Sequence, residues 1–166
     1  ALPILSAEVT KGDNAVAFKL QTLDATTSYS MDDFKGEVVL VNLWASWCGG
    51  CKKEMPEFFT LQQEYKSGFK IVTVSIDKSS SSSQEFLESV EKELGYKRPF
   101  IALYDPSKSM PKAYGAKGMP SSYLIDKQGV VRDVIVGSLS HDDIAKLKIK
   151  IDKLKHRRII KIKKKI

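Results

Sequence analysis

The only two cysteines of the chain, Cys48 and Cys51, stand where an apolar run gives way to a helical pattern. The run is Val38-Val39-Leu40-Val41-Asn42-Leu43-Trp44, short and nearly continuous, as a strand buried on both faces should be. From Cys51 onward the apolar positions Met55, Phe58, Phe59, Leu61 and Tyr65 recur at helical spacing, and Gly68 ends the pattern. A C-x-x-C between a buried strand and a helix start puts its first thiol at the helix N-terminus.

The same alternation continues downstream. Lys70 to Asp77 reads as a second buried strand, and the serine run Ser79 to Ser83 as a loop that caps a helix carrying Phe86, Leu87, Val90 and Leu94. Gly95 stops that helix. Pro99 to Tyr104 reads as a strand, and Pro106 to Tyr114 as a brief helix ended by Gly115. Ser121 to Asp126 and Val130 to Val136 form a hairpin about Lys127-Gln128-Gly129. Ser140 and Asp143 are spaced as a capping box for a last helix. Residues 15 to 20 and 26 to 31 are expected to pair as an amino-terminal hairpin. Strands alternating with helices imply an α/β fold, a central sheet with parallel members and helices on its faces.

The 166 residues suit one domain, here residues 1–150, followed by a basic helical extension, 151–166. Apolar residues make up 42% and charged residues 28%, ordinary for a soluble globular protein. No run approaches the ~18 apolar residues of a membrane span. The start has no basic residue ahead of its short apolar run and does not read as a signal peptide. The net charge of +7 is uneven. Lys146 to Ile166 holds eleven Lys/Arg and one acid, against sixteen basic and nineteen acidic residues elsewhere.

Three readings compete for the cysteine pair. A zinc site needs about four ligands, and His141 and His156 lie far downstream and fifteen residues apart. A structural disulfide closing so short a loop restrains the unfolded chain little. A reversible dithiol is favoured by the context. Free N–H groups and the positive end of the helix dipole stabilise a thiolate there, and Lys52 and Lys53 add charge. In this reading Cys48, the more exposed, attacks a substrate disulfide, and Cys51, one turn deeper, resolves the mixed disulfide. Trp47, directly before Cys48, suits a binding surface; Trp44, on the strand, suits the core.

Two segments carry a family resemblance. Trp44-Ala45-Ser46-Trp47-Cys48-Gly49-Gly50-Cys51-Lys52 resembles the active-site segment of the thioredoxin superfamily, and Gly118-Met119-Pro120-Ser121-Ser122-Tyr123-Leu124-Ile125-Asp126 resembles its cis-proline segment. Residues 79–103 are similar to the helix-and-strand insertion of the TlpA/ResA-like (CcmG-like) branch. The resemblance covers roughly residues 10 to 148. It implies a thioredoxin fold with a central mixed sheet, an N-terminal β-hairpin and that insertion.

It also implies a cis Met119–Pro120 bond, with the Met119 backbone exposed beside Cys48 for strand-like pairing with substrate. Members of this branch are usually anchored outside the bacterial cytoplasmic membrane. They act as thiol-disulfide reductases in cytochrome c maturation or copper-centre assembly. The partners so implied are protein disulfides and a membrane thiol-disulfide donor. The implied cofactor set is empty apart from the redox-active pair, and no metal is expected. Thioredoxin has a buried Asp where this chain has Asn42, which cannot shuttle a proton. The TlpA/ResA-like branch instead places a Glu three residues after the second Cys, here Glu54, the expected proton acceptor for Cys51. Gly49-Gly50 differs from the Gly-Pro of thioredoxin and loosens the first helical turn.

The rival readings are a net oxidant or isomerase, a peroxidase and a Cu(I) carrier. An isomerase normally needs a dimer, and with no separate dimerisation domain a monomer is expected. A peroxidase is disfavoured by the immediate C-x-x-C without a distal cysteine, and a carrier by the lack of Met-rich or His-rich loops. Ile144, Leu147, Ile151 and Leu154 form one apolar helix stripe. Beyond Lys155 the stretch H-R-R-I-I-K-I-K-K-K-I suits an anionic lipid surface or a solvated extension. Nothing besides this patch supports nucleic-acid binding.

Overall fold

The computed structural model describes residues 8–157. Among these, seven strands form one mixed sheet: β1 (Lys19–Thr22), β2 (Ser28–Ser30), β3 (Val38–Trp44), β4 (Phe69–Ser75), β5 (Ile101–Tyr104), β6 (Ser121–Ile125) and β7 (Val131–Val136). Four helices accompany them: α1 (Gly49–Glu64), α2 (Ser80–Leu94), α3 (Ser109–Tyr114) and α4 (His141–His156). The strand order is β2-β1-β5-β4-β3-β6-β7. β3, β4 and β5 are parallel neighbours, and the remaining pairings are antiparallel.

β3 and β4 lie in the middle of the sheet, which explains their near-continuous apolar sequences. Successive side chains of β3 alternate between two cores. Val38, Leu40 and Trp44 join Phe58, Phe59, Leu87 and the α4 stripe on one face. Val39, Val41 and Leu43 join Met110 and Tyr114 of α3 on the other. Asn42 therefore lies on the face covered by α1.

Several boundaries follow from side-chain capping rather than from hydrophobic pattern. The amino-terminal hairpin is shifted from the expected 15–20 and 26–31, because Asp24 organises the turn. Its carboxylate accepts from Thr22 Oγ1 at 2.6 Å, Thr26 Oγ1 at 2.7 Å and Thr26 N at 3.1 Å. β4 stops at Ser75, two residues short of Asp77, whose carboxylate is turned to the Ser46 N–H. α3 starts at Ser109 rather than near Pro106, because Asp105 accepts from the N–H groups of Ser109 and Met110. Gly95, at φ +85°, ends α2, a left-handed C-cap that glycine adopts without Cβ strain. The Ser140/Asp143 capping box is formed.

α4 runs unbroken past residue 150, with Ile151 and Leu154 buried in the core, so its packed stripe extends into the segment read as a separate extension. The basic stretch from residue 158 lies outside the described residues. No described helix is long and apolar enough to cross a membrane.

Candidate active site

β3 delivers the chain to a tight turn at the end of the sheet, and α1 starts immediately after it. Cys48 is the N-cap of α1, with extended backbone, and its Sγ accepts a hydrogen bond from the Cys51 N–H at 3.3 Å. The two sulfurs are joined as a disulfide across a Cα–Cα distance of 5.2 Å. Cys48 retains 9% exposure and Cys51 none. The first turn of α1 contains no acidic residue, so nothing opposes the partial positive charge of its free N–H groups at the Cys48 sulfur.

The loop before β6 closes over this turn. The Met119–Pro120 peptide bond is cis. A Cβ placed on Gly50 would lie 3.6 Å from Pro120 Cδ and 3.4 Å from Ser138 Oγ. Pro120 and the segment leading to α4 thus pack directly against the dipeptide between the cysteines. Met119 is half-buried and Pro120 buried, whereas Trp47 stands 65% exposed beside the disulfide. Trp44 is fully buried.

Glu54 is completely buried, which removes the alternative of a solvated acid on the helix surface. It sits one turn beyond Cys51 on the side of α1 that faces the sheet. Its Oε1 accepts from Asn42 Nδ2 at 2.8 Å and its Oε2 from the Leu139 N–H at 2.9 Å. Burial disfavours the carboxylate and pushes its pKa up from 4.5 to about 7, with the two donors acting in the opposite sense. A proton acceptor with that affinity is half-loaded near neutral pH, where proton transfer from a thiol is most useful.

Asn42, Ser122 and Leu139 complete the surroundings of Glu54, and sequence reasoning did not identify them in that role. Asn42 and Ser122 are register partners on β3 and β6, and Asn42 Nδ2 also donates to Ser122 Oγ at 3.0 Å. Asn42 Oδ1 is buried without a partner among the described residues. The one available signal was a lone polar residue inside the apolar run of β3. Leucine at this position keeps the volume but removes the donor to Oε1, leaving only the Leu139 N–H. Asn42→Leu is therefore expected to move the Glu54 midpoint above about 7. A carboxyl 13C titration of the oxidised protein checks this; an unchanged or lower midpoint would show that Asn42 does not hold the charged form.

The chain resembles known proteins over most of its length. The Redoxin family model matches residues 10–150. The thiol:disulfide interchange protein HelX of Rhodobacter capsulatus is 34% identical over 145 residues, covering 86% of this chain and 76% of that protein. The thiol-disulfide oxidoreductase ResA of Geobacillus thermodenitrificans is 31% identical over 137 residues, covering 82% and 75%. A crystal structure from Chlorobium tepidum, assigned as a thiol:disulfide interchange protein DsbE, superposes with a TM-score of 0.77 at 34% identity, covering 89% of this chain and 99% of that one.

Proposed function

Because this chain belongs to the Redoxin family and is a thiol-disulfide oxidoreductase of thioredoxin fold, we propose that it works as a reductant of protein disulfides outside the cytoplasm. In the dithiol form the Cys48 thiolate attacks one sulfur of a substrate disulfide. A Cys48–substrate bond forms, the substrate S–S bond breaks, and one substrate thiolate leaves. Glu54 then takes the proton of the Cys51 thiol, and the Cys51 thiolate attacks Cys48 Sγ. The second substrate thiolate departs, and the Cys48–Cys51 disulfide remains. Two electrons have passed to the substrate. A membrane thiol-disulfide donor returns them, and the buried carboxylic acid supplies its proton in reverse.

The observation that carries the exchange chemistry is the buried Glu54, hydrogen-bonded to Asn42 and Leu139, one helical turn beyond a fully buried Cys51; the reducing direction rests on the family resemblance. A dithiol that must resolve its own mixed disulfide needs such an acceptor where water does not reach. Trp47 and the backbone of Met119 beside Pro120 are the surfaces against which the substrate chain lies. Disulfides of haem- or copper-binding apoproteins are the substrates suggested by the family resemblance.

Equilibration of the pair against glutathione at pH 7 tests the direction. A potential on the reducing side is expected, closer to the ~−270 mV of thioredoxin than to the ~−120 mV of a strong oxidant. A value near ~−120 mV, that of a strong oxidant, would reverse the physiological direction while leaving the exchange chemistry intact.

A further inference from the structure

Beside Trp47 lies an open cleft of about 500 Å³, lined among others by Ser46, Trp47, Ile76, Lys78 and Lys108. Three loops meet there: the turn before α1, the β4–α2 connection and the β5–α3 connection. Both lysines are exposed, and neither takes part in an ion pair found among the described residues. Their backbones are nonetheless held firmly. Tyr104 donates its hydroxyl to the Lys78 carbonyl at 2.7 Å. Lys108 adopts a left-handed conformation at φ +58° and donates its N–H to the Asp105 carbonyl at 3.1 Å.

The two acids of these connections, Asp77 and Asp105, are turned inward. Asp77 is 2% exposed; its carboxylate accepts from the Ser46 N–H at 3.0 and 3.1 Å and from the Ser83 hydroxyl. Asp105 is fully buried and accepts from Ser109 and Met110 N–H groups. At the rim, then, solvent meets an indole face and two ammonium groups. The residue after Trp47 is Cys48, so a chain bound through its cysteine passes within a few extended residues of the cleft.

We propose that this cleft is a substrate subsite that receives an acidic segment of the protein substrate, a few residues from the cysteine under attack. The proposal rests on the reductase reading above and adds to it a preference among substrates. The indole covers the apolar part of the segment, and Lys78 and Lys108 pair with its carboxylates. Exposed ion pairs are weak individually, roughly two- to fivefold each, so the two lysines together supply on the order of tenfold. That contribution falls as salt shortens the screening length from about 30 Å at 0.01 M to about 8 Å at 0.15 M.

Two peptides identical except for Glu or Lys flanking a disulfide-bonded cysteine, together with neutral bis(2-hydroxyethyl) disulfide, test this. Second-order rates of oxidation of the reduced protein are measured at low and physiological salt, with the neutral disulfide as reference for each variant. The expected result is a Glu-peptide to neutral ratio that drops at least about tenfold in the double variant Lys78→Glu/Lys108→Glu, and a Lys-peptide ratio that rises. Equal rates for both peptides in the wild type, or ratios unmoved by the double variant, would overturn the subsite. A non-reactive Glu peptide with Ser for Cys separates recognition from chemistry. It should shift the Trp47 indole N–H resonance of the oxidised wild type, and no shift would again overturn the subsite. Failure of the wild type to react even with the neutral disulfide would instead overturn the reductase reading.

Discussion

Cys48→Ser is expected to abolish disulfide reduction, by at least about a thousandfold, while the fold survives. Serine is a good N-cap, and its hydroxyl can accept the Cys51 N–H that Cys48 Sγ now accepts at 3.3 Å. What is lost is the thiolate, because a serine hydroxyl does not ionise near neutral pH and is not a nucleophile toward sulfur under these conditions. Cys51→Ser should behave differently. Cys48, the more accessible of the two, still attacks, but the mixed disulfide has no internal thiol to resolve it. A covalent adduct with a disulfide substrate should therefore accumulate on a non-reducing gel and disappear with added dithiothreitol. If the adduct forms instead on the Cys48→Ser variant, the roles of the two cysteines are exchanged. The burial difference, 9% against none, makes that outcome unexpected.

Glu54→Gln should change how stability depends on pH. Burial raises the Glu54 pKa from 4.5 to about 7, so between those values the folded oxidised protein binds more protons than the unfolded chain. Stability then falls as pH rises. The contribution of the protonated acid is fully present below about 4.5 and is lost as pH passes through about 7. The shift corresponds to at most about 3 kcal/mol. Glutamine mimics the neutral acid and should flatten this part of the profile.

Its amide can accept the Leu139 N–H, and Asn42 can turn its unpartnered Oδ1 to accept from the amide nitrogen. Urea midpoints of the oxidised protein from pH 4.5 to 8 measure the effect as wild type minus variant, which cancels titrations common to both. A difference that stays constant across this range would mean that Glu54 titrates as an ordinary carboxylate. The same variant should resolve mixed disulfides ~10²-fold or more slowly, because the acceptor for the Cys51 proton is gone.

Much of this site was legible along the chain. Cysteine spacing, the apolar run before it and the helical pattern after it located the helix N-terminus without any long-range information. Gly95 and the Ser140/Asp143 pair marked their helix ends correctly because caps act over three or four residues. Hairpin limits were misjudged at the amino terminus because β1 pairs also with β5, some eighty residues away, and because one aspartate carboxylate sets the turn. Glu54 could be picked out by its position after Cys51, but its environment could not. Its two donors come from Asn42, twelve residues before it, and from Leu139, eighty-five residues after it.

The sequence alone determined the chemistry available: one dithiol pair, a strand-to-helix frame for it, and an acid one helical turn beyond. These depend on local propensity and on periodicities that any reader of the chain can count. Only the tertiary structure decided how strongly that acid holds its proton, what lies over the dipeptide between the cysteines, and which exposed side chains share the face of Cys48. Proton affinity depends on the removal of water and on donors brought in from β3 and the loop before α4. Lys78 and Lys108 converge because two buried aspartates and Tyr104 hold separate loops at the same end of the sheet, an arrangement that exists only after the sheet has closed.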